Sequence, residues 1–355
     1  MPLSVIRKKI DEIDSKLLDL LSDRADLVHE VGVVKKREGV GIYAPEREEA
    51  LLQSLIKRNK GRLPEKSIRA IYREIMSASL ALEKHLTIAY LGPEATWSHQ
   101  AARNKFGASV DYSAQESVAG VFDAVSRGKA DYGVVQIENS TGGAVNYTLD
   151  LFMESKLKVC AQFLLKIGNN LIARIPREQI RKVYSSPQVF SQCRRWLRNN
   201  LAHAGLVEVS STTRAAELAG GEPDAAAIAG SMAAEVYALD ILEHSIQDNP
   251  NNSTRFLVIG THSCPPTGDD KTSLMFCVQD KPGALFQAIS PFNNLRIDIS
   301  KIESRPSRRK ALEYLFFADV EGHEQQPKII EALGELRKHC SFVKILGSYP
   351  KSSNG

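Results

Sequence analysis

Cysteine is scarce and scattered in this 355-residue chain. Its five cysteines are Cys160, Cys193, Cys264, Cys277 and Cys340, with no CxxC pair and no zinc-site spacing. An odd, dispersed set argues against a disulfide framework and for a reducing compartment, and no metal is expected. Long apolar runs are also missing. No stretch is long and apolar enough to span a bilayer. The first residues, Met1–Lys9, hold no apolar run like that of a signal peptide. A cytoplasmic protein without membrane contact is therefore expected. Nor is charge of one sign concentrated. The net charge is +4, with acids and bases interleaved throughout. That balance gives no ground for nucleic-acid binding, although it suits small anionic substrates. Neither GxGxxG nor P-loop spacing occurs, so no nucleotide cofactor is expected.

What remains is an ordinary globular composition, 43% hydrophobic and 25% charged, with length for two or three domains. Residues 1–86 read as almost wholly helical. Ser4 is a candidate N-cap. Ile10, Ile13, Leu17, Leu20, Leu21, Val28 and Val31 recur at three- and four-residue steps, which is one helix face. The run ends at Gly39 and Gly41, and a helix this long packs on a partner chain. Pro45 starts a second helix over 46–59, and Pro64 a third that runs to about His85. Arg24 lies in the middle of the apolar stripe, with Lys35 on the same line three turns later. Two cations on an apolar face need an anion. That anion is either a protein carboxylate, Glu48 being near, or a ligand. On the third helix Ile75, Ser79 and Glu83 step by four.

The run IRKKIDEIDSKLLDLLSDRADLVHEVGVVK, followed by YAPEREEALL, resembles the all-helical chorismate mutases. The resemblance implies an intertwined homodimer that rearranges chorismate to prephenate without nucleophile, metal or cofactor. Such a reaction is accelerated by holding a near-attack shape and by stabilising charge on the ether oxygen. By resemblance, Arg7 and Arg24 clamp the substrate carboxylates, with Arg7 reaching into the partner's site. Lys35 donates to the ether oxygen, Arg47 and Glu48 orient the lysine and the substrate hydroxyl, and Ser79 holds a carboxylate. Some members carry Gln where this chain has Glu83. A carboxyl donates only when protonated, so Glu83 is expected to work in its protonated form.

Residues 87–262 switch to alternating strands and helices. Strands are expected at 88–91, 132–137, 157–166, 182–185, 206–209, 225–229 and 255–259, and helices at 116–127, 187–199, 213–220 and 230–238. The alternation predicts mainly parallel sheets in two small lobes with a cleft, as in periplasmic binding proteins. Ligands in such sheets bind beyond the carboxyl ends of strands. Four polar loops stand at strand ends: 92–98, 138–143, 185–188 and 251–255. Two of them, Glu138-Asn139-Ser140-Thr141-Gly142-Gly143 and Asn251-Asn252-Ser253-Thr254-Arg255-Phe256, resemble the signatures of prephenate dehydratase. That family removes water and carbon dioxide from prephenate to give phenylpyruvate. The resemblance assigns the proton donor to Thr254. It assigns substrate carboxylates and ring hydroxyl to Asn139, Ser140, Thr141, Gly142 and Arg255. Many relatives have His where Ser186 stands and Gly where Ala95 stands. His99 nearby is expected to be a solvated or structural histidine.

Thr261–Lys271 is a candidate linker. Residues 271–350 then read as βαββαβ, a ferredoxin-like α+β module. Gly283-Ala284-Leu285-Phe286 and Glu303-Ser304-Arg305-Pro306 resemble the phenylalanine-binding signature of ACT domains attached to prephenate dehydratases. Arg308, Arg309 and Lys310 read as a solvated hairpin tip and 351–355 as a frayed tail. Together the resemblances imply a bifunctional enzyme of phenylalanine biosynthesis with feedback by phenylalanine. An oxidative prephenate enzyme is excluded by the missing nicotinamide fingerprint. A non-catalytic sensor leaves the clamp of Arg7, Arg24, Lys35 and Glu48 without a purpose.

Overall fold

The computed structural model describes residues 1–39, 41–140, 143–306 and 313–351. The expectations for Thr141, Gly142, Arg308–Lys310 and 352–355 lie outside the described residues. The chain divides into two compact units. One holds Met1–Thr87 with Phe106–Asp111, and the other holds Ile88–Lys105 and the chain from Tyr112 onward.

The first unit is built on α1 (Leu3–Glu38), whose sequence has no internal stop. Ser4 is not its cap. The helix enters through extended Pro2 without a side-chain cap, because the proline already fixes the entry angle. Gly39 ends it in the left-handed region at φ 67, returning its N–H to Lys35 O. Then follow α2 (Pro45–Arg58) and α3 (Glu65–Glu83). Gly32 lets α3 approach α1. A Cβ there would stand 3.2 Å from Glu83 Cγ. Glycine inside a helix costs about 1 kcal/mol against alanine, so this close approach is the reason for it. Helix α1 buries none of its residues: Ile13 is 56% exposed, Leu17 51% and Leu20 64%. Phe106–Asp111 closes the unit, with Ser109 N–H donating to Ser77 Oγ at 3.0 Å and Ala108 N–H to Glu74 at 2.9 Å.

In the second unit, the first lobe contains β1 (Thr87–Leu91), α4 (Trp97–Phe106), β2 (Asp111–Gln115), α5 (Val118–Ser126), β3 (Tyr132–Asn139), β4 (Gly143–Ala144), α6 (Asn146–Glu154) and β5 (Lys158–Lys166). The second lobe contains β6 (Asn170–Ala173), β7 (Lys182–Ser185), α7 (Pro187–Gln192), α8 (Arg194–Asn200), β8 (Gly205–Glu208), α9 (Thr212–Gly221), β9 (Ala225–Ala229), α10 (Ser231–Val236) and β10 (Asp240–Glu243). The chain then returns to the first lobe as β11 (Ser253–Gly260). The expected 187–199 helix breaks at Cys193, where α7 ends and α8 begins. The sheets are mixed rather than mainly parallel. In the order β2-β1-β3-β11-β5, β11 runs antiparallel to both neighbours, because the chain re-enters this lobe between β3 and β5 in the opposite sense. In the order β10-β6-β9-β7-β8, β7 is parallel to β8 and β9, while β6 is antiparallel to β9 and β10.

The last module is β12 (Asp270–Gln279), α11 (Ala284–Asn294), β13 (Ile299–Pro306), β14 (Glu313–Glu321), α12 (Pro327–His339) and β15 (Phe342–Pro350). It follows the expected βαββαβ order, and its sheet runs β13-β14-β12-β15. One face is covered by α11 and α12, through Ala288, Phe292, Leu333 and Leu336. From the other face, Met275, Cys277, Phe317 and Leu346 join the first lobe's Val159, Leu257 and Ile259 in one core. Lys351 is not frayed, since its ammonium pairs with Asp269 at 2.9 Å and with Glu321.

Candidate active sites

In the helical unit, α1 and α3 bring Arg24, Lys35, Ser79 and Glu83 together. Arg24 Nη1 donates to Ser79 Oγ. Lys35 Nζ pairs with the Glu83 carboxylate at 2.9 Å and donates to Ile42 O at 2.7 Å. The lysine thus has Glu83 as a carboxylate partner. The Glu83 side chain is only 7% exposed, so the pair is largely sheltered from water. Glu48 and Arg47 lie in the first turn of α2, Arg47 exposed and Glu48 half-buried. Arg7 is exposed and does not join this cluster. It lies 17 residues from Arg24 on the same helix, roughly 26 Å at about 1.5 Å per residue.

In the α/β unit, Asn139 ends β3 and Thr254 lies near the start of β11. The two are direct cross-strand partners. Asn139 Nδ2 donates to Thr254 Oγ1 at 2.8 Å. Thr254 is buried, and among the described residues no acceptor takes its own proton. An oxygen that already accepts a bond has its O–H free to point at a ligand. Ser140 Oγ accepts from Ser253 N–H at 3.0 Å, and Ser140 N–H donates to Ser253 O at 2.9 Å, so the two loops are stitched side by side.

Three residues the sequence reading missed hold this arrangement. Asn252 is buried, with Asn139 Nδ2 and Ser140 Oγ on its Oδ1 at 3.4 and 3.5 Å. Its amide donates to Gln192 Oε1 at 3.3 Å, and Asn169 Nδ2 donates to the same oxygen at 3.1 Å. Gln192 ends α7 of the second lobe, so this chain of amides joins the lobes behind the threonine. Only the position of Asn252 beside Thr254 gave a sequence signal for any of them.

Arg255 departs from expectation. A strand places successive side chains on opposite faces, and β11 already starts at Ser253, two residues before the expected strand. Thr254 and Arg255 therefore face opposite ways. The guanidinium donates from Nε to Gln162 at 2.8 Å, from Nη1 to Asp319 at 2.6 Å and from Nη2 to Tyr349 Oη at 3.2 Å. Burial alone lowers the Arg255 pKa, but Tyr349, Asp319 and Glu138 outweigh it and raise the net value. Arg255 is engaged by the C-terminal module and is not available to a substrate carboxylate on the Thr254 side.

His99 is buried rather than solvated. It stacks on Tyr90 with ring centroids 4.4 Å apart, and its Nδ1 accepts the Ala95 N–H at 3.1 Å. Burial lowers its pKa, partly countered by Glu94 and assisted by Arg103. That bond fixes Ala95, whose φ of 63 is in the left-handed region that glycine adopts without strain. The glycine of many relatives fits this backbone, and here a histidine acceptor holds an alanine in it.

In the C-terminal module, Gly283 has φ 82 with open space at its Cβ, so the turn into α11 and not crowding calls for glycine. Ala284 is buried in the core, Leu285 packs against it and Phe286 is 72% exposed. Glu303, Ser304 and Arg305 lie on β13, which β14 separates from β12. Arg305 reaches Asp150 of α6 at 2.7 Å and also donates to Asn146 O. No group of His, Cys, Asp and Glu suited to a metal ion occurs among the described residues, and no described helix is long and apolar enough to cross a membrane.

Three family profiles match in chain order: Chorismate mutase type II over residues 6–84, Prephenate dehydratase over 88–264 and ACT domain over 272–338. Among solved structures, the chain is similar to a prephenate dehydratase from Arthrobacter aurescens in complex with L-Phe. The TM-score is 0.69 at 30% identity, covering 75% of this chain and 90% of that one. It is equally similar in fold to a protein described as a novel type of quorum-quenching acylase, with TM-score 0.70 at 27% identity over 75% of this chain and 98% of that one. Fold alone therefore does not choose the chemistry. A bifunctional chorismate mutase/prephenate dehydratase of Aquifex aeolicus is 44% identical over 99% of this chain and 98% of its own length. The chain belongs to the bifunctional chorismate mutase/prephenate dehydratase family.

Proposed function

We propose that the two reactions of this family run on two separate sets of side chains, one in residues 1–86 and one in 87–262, with 271–350 as the regulatory module. In the helical unit, Arg24 and Ser79 hold one chorismate carboxylate, and Lys35 donates to the ether oxygen as the carbon–oxygen bond breaks. Arg47 and Glu48 orient the lysine and the substrate hydroxyl. Glu83 changes role when substrate arrives. A second donor to the ether oxygen is needed there, and a carboxyl donates only in its protonated form. Arg7 serves the site of a second chain, because roughly 26 Å of helix separates it from Arg24. The exposed apolar stripe of α1 is the surface that such a dimer covers.

In the α/β unit, Thr254 passes its proton to the departing ring hydroxyl, which leaves as water. The bond to the ring carboxylate breaks, its electrons aromatise the ring and carbon dioxide is released. Thr254 then regains a proton from solvent. Asn139, Ser140 and the neighbouring loop amides orient prephenate. The observation that carries this reading is the 2.8 Å bond from Asn139 to buried Thr254, which leaves the hydroxyl as a donor. Phenylalanine binds at Gly283–Phe286 and Glu303–Pro306, and the protein works in the cytoplasm without a cofactor.

The test is direct. Purified protein is given chorismate, and prephenate and phenylpyruvate are followed with and without phenylalanine. Formation of both, with phenylpyruvate suppressed by phenylalanine, is the expected result. Turnover of neither substrate overturns the reading. Sedimentation of the protein, with and without charges placed at Leu17 and Leu20, tests the dimer. A monomer in both cases overturns that part.

A further inference from the structure

The cross-strand pair next to Thr254 and Asn139 is Arg255 and Glu138, in register one residue along the ladder. Both are gripped by the C-terminal module, and each of its four strands contributes. Asp319 on β14 and Tyr349 on β15 bind the Arg255 guanidinium. Ser273 on β12 closes the ring by bonding both Asp319 and Tyr349 at 2.5 Å. Lys301 on β13 pairs with Glu138 at 2.5 Å. Asp319, Ser273 and Tyr349 are fully buried. Elsewhere this docking face combines an apolar core with further polar contacts, among them Arg305 to Asp150 and Lys344 to the carbonyls of Phe152 and Met153. The ion pairs of Arg255 and Glu138 stand next in register to Thr254 and Asn139. The β11 ladder also shifts register between Arg255 and Phe256. Pairing on the β3 side is thus irregular next to Thr254, while β5 pairs with this end of β11 without a break.

Strand β13 links this support to the phenylalanine signature. Lys301, Glu303 and Arg305 alternate onto one face of it. Lys301 reaches Glu138, which precedes Asn139, while Arg305 reaches Asp150 on α6. A shift of β13 at residues 303–306 is therefore passed to Glu138, beside Asn139, through the Lys301 pair, and to α6 through the Arg305 pair.

We propose that Arg255 and Glu138 are positioning residues for Thr254 and Asn139, and that Asp319 and Lys301 let the regulatory module set dehydratase turnover through them. This rests on the reading of Thr254 as the proton donor. Misplacement of a donor by about 1 Å is worth on the order of a hundredfold in rate, so a small movement of β11 or β13 suffices.

The test uses the full chain with Lys301→Met and Asp319→Asn, and Lys301→Arg as the conservative variant. Dehydratase kcat and KM, mutase rate, and phenylalanine binding by calorimetry are measured for each. For Lys301→Met, dehydratase kcat is expected to fall about fivefold or more with KM unchanged. Its inhibition by saturating phenylalanine is expected to shrink to less than about twofold while phenylalanine still binds. The mutase rate stays at the native level, and Lys301→Arg restores both kcat and inhibition. Native kcat and native inhibition in Lys301→Met overturn the inference, as does a loss confined to KM. If Asp319→Asn loses mutase activity and unfolds, Lys301→Met and Lys301→Arg decide alone. If phenylalanine does not inhibit the native protein, the regulatory half is overturned, and kcat decides the positioning half. Retained dehydration in Thr254→Ala sinks the reading of the site itself. Loss of dehydration there, with Lys301→Met unchanged, sinks only this inference.

Discussion

The helical site is made of full charges on long side chains, whereas the α/β site is made of neutral amides and hydroxyls on short ones. Arg24, Lys35 and Glu83 reach the first site from helix faces, and each must be held still. Lys35 is held by Glu83 and Ile42 O, and Arg24 by Ser79. Asn139, Ser140 and Thr254 are short side chains held through the hydrogen-bonded strand ends that carry them. The contrast follows from the reactions. A rearrangement offers no bond to the protein, so fixed charge must do the work on a dianion. A dehydration needs one donor at one oxygen, and a neutral donor leaves the acidic substrate its own charge. The charged groups are paired with one another, while among the described residues no acceptor takes the Thr254 proton.

The comparison breaks most visibly at Thr254. Thr254→Ala is expected to lower dehydration by about 10²–10⁴-fold, the range for a general acid, and to leave the mutase at its native rate. Equal losses in both reactions would remove the division between the sites. Next, Lys35→Ala is expected to lower the mutase by about 10²–10³-fold, with phenylpyruvate formation from added prephenate unaltered. A mutase rate within about twofold of native would show that no charge at the ether oxygen is required.

A smaller effect sharpens the difference between charged and neutral donors. With Glu83 in place, the mutase rate is expected to fall as pH rises, because a carboxyl donates only while protonated. Glu83→Gln is expected to flatten that profile, since an amide donates at any pH. Identical pH profiles for both proteins would refute the role change. The smallest effect concerns stability of the α/β unit. Burial is the main cause that puts the folded pKa of His99 below the unfolded value. The unfolded chain therefore takes up a proton that the folded one refuses, and stability falls as pH drops below about 6.5. The unfolding midpoint of native protein should drop more than that of His99→Gln between about pH 7.5 and about pH 5.5. An equal drop in both would clear His99 of the effect.

The helical unit was the more legible of the two. Arg24 and Lys35 interrupt an apolar stripe, and a misplaced charge is visible in one dimension because a helix repeats every 3.6 residues. Its fold was legible for the same reason, down to Gly39 as the stop. The partner of Lys35 was not, because Glu83 stands 48 residues away and meets it only where Gly32 lets α3 approach. In the α/β unit the polar loops were visible as motifs, but β2, β6, β10 and α6 were missed. The short strands β6 and β9 lie wholly buried and lack alternation, and β6 went unread. The facing of Arg255 turned on a boundary. Starting β11 at Ser253 instead of residue 255 brings Thr254 and Arg255 into strand alternation and turns them apart.

The sequence by itself determined three modules in order, the helical register that lines up Arg24 and Lys35, and the loops that carry Asn139 and Thr254. These are local properties: periodicity, turn residues and motif spacing act over a few residues. Tertiary structure alone decided that Asn139 meets Thr254 across antiparallel strands 115 residues apart. It also decided that Asn252, Gln192 and Asn169 brace them, and that Arg255 turns away to Asp319. Each of those pairings depends on how strands and helices from distant parts of the chain are ordered in space. That order is set by the chain's return from the second lobe as β11, which no local pattern encodes.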